Sequence, residues 1–251
     1  MLRMQDTGFP FDAFAKLLAK ERICGHRLSL SKEKEGIYIL DVADGLGAIA
    51  EMPGPVSWSD LEGPCETAVL WPKKTPASSV KAHRCHILMM LAQDRMAPIP
   101  RRLLLTQMVG MAARHKGVLG VYWGEGTLVH HPGVFSDTAR AMTTPDEPPL
   151  HLWVDYRIVP NQDGSIGLFT TGLRPLGLME IEVPSIDMQA GELMQWGMNL
   201  TQYQLDNGRV LKDGETIGVT EVPEFRIRYR PSRFGHIGDI LAIEKREPRK
   251  A

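Results

Sequence analysis

Glu180 and Glu182 lie two residues apart in the stretch TTGLRPLGLMEIEVP (170–184), and their type and spacing best suit chemistry. On an extended strand such a pair shares one face, about 6.5–7 Å apart. Two carboxylates divide acid and base work only when their surroundings separate their pKa values. A catalytic reading therefore needs a nearby histidine, and His151 and His236 are the candidates. In FRIRYR (225–230), Arg226, Arg228 and Arg230 alternate with Phe225, Ile227 and Tyr229, so one strand face carries three guanidiniums. Alone, that stripe reads as a phosphate or RNA contact. If the two strands were neighbours, carboxylates would face guanidiniums across the sheet in an ion-pair ladder that needs no catalysis.

Other chemistry-bearing groups are scattered. HRCH (83–86) holds His83, Cys85 and His86, but on a strand the first two share one face and His86 takes the other. A chelating set would need further ligands, such as His130 and His131. His151, Trp153, Asp155 and Arg157 share a parity in LHLWVDYRIVP (150–160), which predicts an amphipathic strand. There is no nucleophile elbow, phosphate-binding loop, dinucleotide fingerprint, zinc-protease helix or calcium loop. No cofactor and no metal are expected.

Composition narrows the partner class. A net charge of -1 gives no field that draws in nucleic acid or an anionic membrane. Cys24, Cys65 and Cys85 are odd in number and widely spaced, which argues against a disulfide scaffold. The opening residues lack a secretory apolar core, and no apolar run reaches the roughly 18–20 residues of a membrane helix. A cytoplasmic setting is expected.

The elements that must position these residues read as α+β. Residues 1–35 form an N-terminal helix (10–22) with its lead-in. Residues 36–142 alternate strand and helix in a way that fits a split βαβ, ferredoxin-like half. TTPDEPP (143–149) is the expected linker. Residues 150–251 form a mainly antiparallel sheet of five or six strands with one packed helix (191–208), whose stripe is Leu193, Trp196, Leu200 and Tyr203.

Several blocks resemble a bacterial domain-of-unknown-function family catalogued as 4261. They are LFTTGLRPLGLMEIEV, LMQWGMNLTQYQLDNG, VLKDGETIG and the RPS at 230–232, with AEMPGPVSWSDLEGPCETAVLWP, AHRCHILMML and VLGVYWG upstream. The likeness would span most of residues 40–245. It implies no reaction. It implies proteins encoded near polymorphic toxin and type VI secretion loci, hence an immunity or accessory role.

The expected function is a non-enzymatic, cytoplasmic protein-binding module whose partner is a protein such as a cognate toxin. Its binding residues are Glu180, Glu182, Arg226, Arg228 and Arg230. The first alternative is a hydrolase using Glu180 and Glu182 with His151 or His236. The second is RNA binding through the arginine stripe.

Overall fold

A computed structural model describes residues 1–3, 8–42, 45–92, 95–142, 147–207, 211–218 and 225–245. The chain divides into two compact units, Met1–Leu152 and Trp153–Ala251. Four residues of the expected linker, 143–146, lie outside the described residues.

In the first unit the strands are β1 (Leu2–Arg3), β2 (Arg22–Ile23), β3 (His26–Lys34), β4 (Ile37–Val42), β5 (Gly45–Met52), β6 (Cys85–Ala92), β7 (Val118–Trp123) and β8 (Leu128–His130). The helices are α1 (Phe11–Lys20), α2 (Trp58–Glu66), α3 (Pro98–Ala113) and α4 (Pro132–Ala141). A single helical turn, α5 (Leu150–Trp153), spans the division. The strands form one sheet in the order β2-β3-β4-β5-β6-β1-β7-β8.

Every described pairing in this sheet is antiparallel. The α+β class therefore holds, but the split βαβ arrangement, which needs a parallel pair, is replaced by a hairpin meander. The cause is local. β4 follows β3 through a short turn, β5 pairs antiparallel with β4, and β3 is an exposed, Lys- and Glu-rich strand that hydrophobic patterning passes over. Ser57 precedes α2 without capping it through its side chain, because its hydroxyl bonds Ser59 Oγ at 2.7 Å.

Helices α3 and α4 meet at Gly110, where an added Cβ would lie 2.5 Å from Ala139 Cβ. Gly110→Ala is expected to cost about 1–3 kcal/mol, the usual penalty for overpacking. Urea unfolding should show the loss, and pairing it with Ala139→Gly should restore most of it.

The second unit has β9 (Asp155–Pro160), β10 (Ile166–Thr171), β11 (Ile181–Ile186), β12 (Thr216–Ile217), β13 (Phe225–Pro231) and β14 (Asp239–Lys245), with helix α6 (Ala190–Asn207). The sheet order is β12-β13-β14-β11-β10-β9, and among the described residues β11 and β14 are the one parallel pair. Helix α6 covers the face that carries Leu168 and Tyr156, where Gly197 allows close approach. Its buried stripe is Leu193, Gly197, Leu200, Thr201 and Gln204. Tyr203, expected on that stripe, is 45% exposed. The small Gly197 lets the helix settle with that edge down, and Tyr203 rolls outward.

The strand expected over 150–160 begins only at Asp155. Before it, Pro148 and Pro149 open the α5 turn, with Leu152 N–H donating to Pro149 O at 2.8 Å. Proline fits a first helical turn. His151 therefore sits exposed on a helical turn and does not share a strand face with Asp155 and Arg157.

Candidate functional site

The acidic pair is not one site. Strand β11 starts at Ile181, so Glu180 precedes it. Its side chain, 2% exposed, is held by the turn that follows β10. Gly172 adopts φ +115°, which only glycine takes without strain. That bend points three successive N–H groups at Oε1: Gly172 at 3.0 Å, Leu173 at 2.9 Å and Arg174 at 3.2 Å. Thr170 Oγ1 donates to Oε2 at 2.7 Å and accepts from Ile181 N–H at 2.8 Å. Successive backbone N–H groups of this kind form an anion-binding nest. Here the anion is the protein's own carboxylate, and it ties the ends of β10 and β11 together.

Glu182 has a different set of donors. It is 1% exposed. Ser232 Oγ donates to Oε1 at 2.5 Å, Arg233 N–H reaches the same oxygen at 3.1 Å, and Arg230 Nη1 lies 3.7 Å from Oε2. Ser232 Oγ also accepts from Phe234 N–H at 2.9 Å. The loop after β13 is thus pinned to the middle of the sheet.

The expected carboxylate–guanidinium ladder does not form, because β14 stands between β11 and β13. In register, Glu182 faces Ala242, and Ala242 faces Arg228. The small Ala242 leaves room for Arg230 to reach across β14 to Glu182 while its Nε bonds Glu244 Oε1 at 3.1 Å. Arg228 lies 3.9 Å from Asp213, with both side chains well exposed, so that pair contributes about 0–1 kcal/mol. Arg226 faces Glu244 in register.

The same sheet face carries Phe169, the register partner of Glu182. Phe234 stacks on it with ring centroids 4.1 Å apart, and His236 lies 6.2 Å from it. Beside them, Arg157 binds Asp155 at 2.6 Å. Burial raises the Asp155 carboxyl above its usual range, and the Arg157 pairing offsets part of that. Phe234 is 44% exposed and Ile237 88% exposed. Among the described residues no hydrogen bond joins His236 to Glu180 or Glu182.

The histidines of the metal reading serve the backbone instead. His83 Nε2 accepts from Val56 N–H at 2.8 Å, so Nδ1 carries the proton and donates to Val80 O at 2.7 Å. Burial lowers its pKa. His86 Nδ1 lies 2.8 Å from Gly54 O, and His131 Nδ1 accepts from Gly133 N–H to cap α4. His130 Nε2 donates to Leu152 O at 3.1 Å, and burial pushes its pKa down to about 4. Among the described residues no three His, Cys, Asp or Glu side chains converge as metal ligands.

Sequence reasoning missed Thr170, Gly172 and Ser232, the residues that fix the two glutamates. The readable signal was the Thr-x-Gly turn ahead of Glu180 and the Ser that ends the arginine strand.

Among the described residues no helix is long and apolar enough to cross a membrane. No curated protein and no solved structure matches the chain. Residues 169–237, which run from Phe169 on β10 through the Glu180 nest and α6 to the loop beyond Ser232, match the family described as Domain of unknown function (DUF4261). The upstream blocks fall outside that span, and the likeness rests on the segment that builds both glutamate nests.

Proposed function

We propose that this protein is a non-enzymatic protein-binding module of the bacterial cytoplasm, acting as an immunity or accessory protein toward a toxin of a type VI secretion or related system. The observation that carries this reading is the loop after β13. Glu182 fixes its base, Phe169 supports Phe234, and Ile237 stands out into solvent. A pre-ordered loop loses little entropy on binding. Apolar and aromatic tips beside arginines have the composition of interface hot spots. Arg233 would steer an acidic partner.

Both carboxylates of the hydrolase alternative are committed to backbone donors. Two of the three stripe arginines are committed to carboxylates. Neither alternative is therefore carried forward.

The test is co-expression with the product of the adjacent gene. Ile237→Asp, at a side chain 88% exposed, is expected to weaken that complex at least tenfold and to leave the melting temperature unchanged. If excess protein leaves the neighbour's activity untouched, the immunity role falls.

A further inference from the structure

One face of the sheet in the first unit is apolar and open over β4, β5 and β6. Their register sets three rows across it: Asp41–Leu46–Ala92, Ile39–Ala48–Met90 and Ile37–Ala50–Leu88. Cross-strand partners share a face, and the next residue along each strand takes the other. That other face is the core side. Leu40, Ile49 and Ile87 are buried on it, and Phe11 of α1 stacks on Tyr38 with ring centroids 4.1 Å apart. The three rows lack such cover, and Leu46, Leu88 and Met90 are 52%, 48% and 46% exposed. Helix α2 lies on the same face but further along, where Leu61 and Cys65 pack with Leu2, the register partner of His86.

A contiguous apolar face marks an interaction site. The order of sizes and charges on this one says what it meets. A two-fold axis that crosses the strands at Ala48 lays the face on a copy of itself with its outer rows exchanged. Large side chains then sit over small ones: Leu46 over the second copy's Ala50, and Leu88 over its Ala92. In the middle row Ala48 meets Ala48 at the axis and lets the sheets approach, and the pliable Met90 meets Met90. The charges agree with the sizes. Lys34 of β3 is the register partner of Ile37 and stands beside one outer row, while Asp41 belongs to the other. The same axis brings Asp41 of each copy to Lys34 of its mate. Two sheets of equal twist pack face to face with their strands within about 30° of each other.

We propose that this face is the interface of a two-fold dimer, whose partner is a second copy of the chain. The apolar rows supply the attraction, and the crossed Asp41–Lys34 pairs fix which way round the second copy lies. Exposed pairs contribute little energy, about 0–1 kcal/mol each in general, so their part is register and not strength. A two-fold contact uses the same patch on both copies and closes, so it leaves no second apolar face to recruit a third.

Sedimentation equilibrium of the full chain is the test. A monomer–dimer equilibrium is expected in the micromolar range. Ala48→Glu sets two carboxylates against each other at the axis and should weaken the dimer at least a hundredfold, while in the monomer the new side chain points to solvent. Asp41→Lys and Lys34→Glu should each weaken the dimer about fivefold, and the two together should restore it to within about twofold of the parent. That rescue separates this register from any other dimer, and it decides the matter even if Ala48→Glu fails to fold. A monomer at millimolar concentration, a dimer indifferent to Ala48→Glu, or a double exchange no tighter than the single ones would overturn the proposal. So would a dimer that Ile237→Asp dissociates, since that contact would run through the loop of the second unit. Failure on the other counts leaves the reading of that loop untouched.

Discussion

Glu180→Ala is expected to lower the unfolding free energy of the Trp153–Ala251 unit by about 4 kcal/mol, the cost class of an uncompensated buried polar cluster. The substitution removes the acceptor for Gly172, Leu173 and Arg174 N–H and for the Thr170 hydroxyl, all at a site 2% exposed. Hydrogen bonds to a charged group each contribute about 1.5–3 kcal/mol, and buried donors left unpaired cost their full desolvation. Water entering the vacated space would recover part of this, which is why the sum of four bonds is not the expected figure. Glu180→Gln separates charge from geometry. Its carbonyl oxygen can still accept from the three N–H groups, but its amide faces Thr170 Oγ1, whose hydroxyl loses its acceptor. A loss of about 1–2 kcal/mol is expected for Gln. Urea unfolding followed by circular dichroism, with exchange at the Gly172–Arg174 amides, distinguishes the two. If Glu180→Ala costs under about 1 kcal/mol, or if those amides are no better protected in the parent protein than in the variant, the nest is not what joins β10 to β11.

The second large effect is acid sensitivity of the Met1–Leu152 unit. Burial disfavours the charged form of His130 and pushes its pKa from the usual 6.5 down to about 4. As pH falls below 6.5 the unfolded chain takes up a proton that the folded chain refuses. Stability from this group is therefore fully present above about pH 6.5, declines as pH falls from there, and stops declining below about pH 4, where both states are protonated. The loss amounts to about 3 kcal/mol at 1.36 kcal/mol per pKa unit. His83, also lowered by burial, adds a loss of the same sign. Asp155, raised by burial, acts in the opposite sense in the other unit, so the readout must be local. Exchange protection of β8 amides between pH 7 and pH 4.5 gives that readout, and nuclear magnetic resonance of the His130 ring gives its titration directly. His130→Gln should remove the His130 share of the pH dependence at β8 and leave that of the Met1 amino group, which burial pushes down to about 5, and of the other buried histidines. A His130 ring that titrates near 6.5 in the folded protein would sink the prediction.

Much of the strand pattern was legible because its causes are local. Phe225, Ile227 and Tyr229 alternate with arginines, and the resulting strand runs from Phe225 to Pro231. Gly117 follows a run of helix formers, and α3 ends at Ala113, four residues before it. Prolines were informative where they obey φ and less so where position decides: Pro148 and Pro149 turned 150–153 into helix, and alternation in LHLWVDYRIVP concealed it. Strand β3 was hidden by its exposed charges, and β1 by its length of two residues.

The candidate site was legible as residue types and illegible as a site. Sequence alone singled out Glu180, Glu182 and the arginine stripe, and it fixed the α+β class through hydrophobic period and turn residues. It could not say that β14, the last strand among the described residues, inserts between β11 and β13, since strand order depends on which nonlocal edges pair and not on any local preference. That single insertion replaced a ladder with Ala242 and sent Arg230 across to Glu182. Nor could the sequence say that Glu180 precedes its strand by one residue and meets a turn's N–H groups, because carboxylate burial is a property of the backbone that gathers around it.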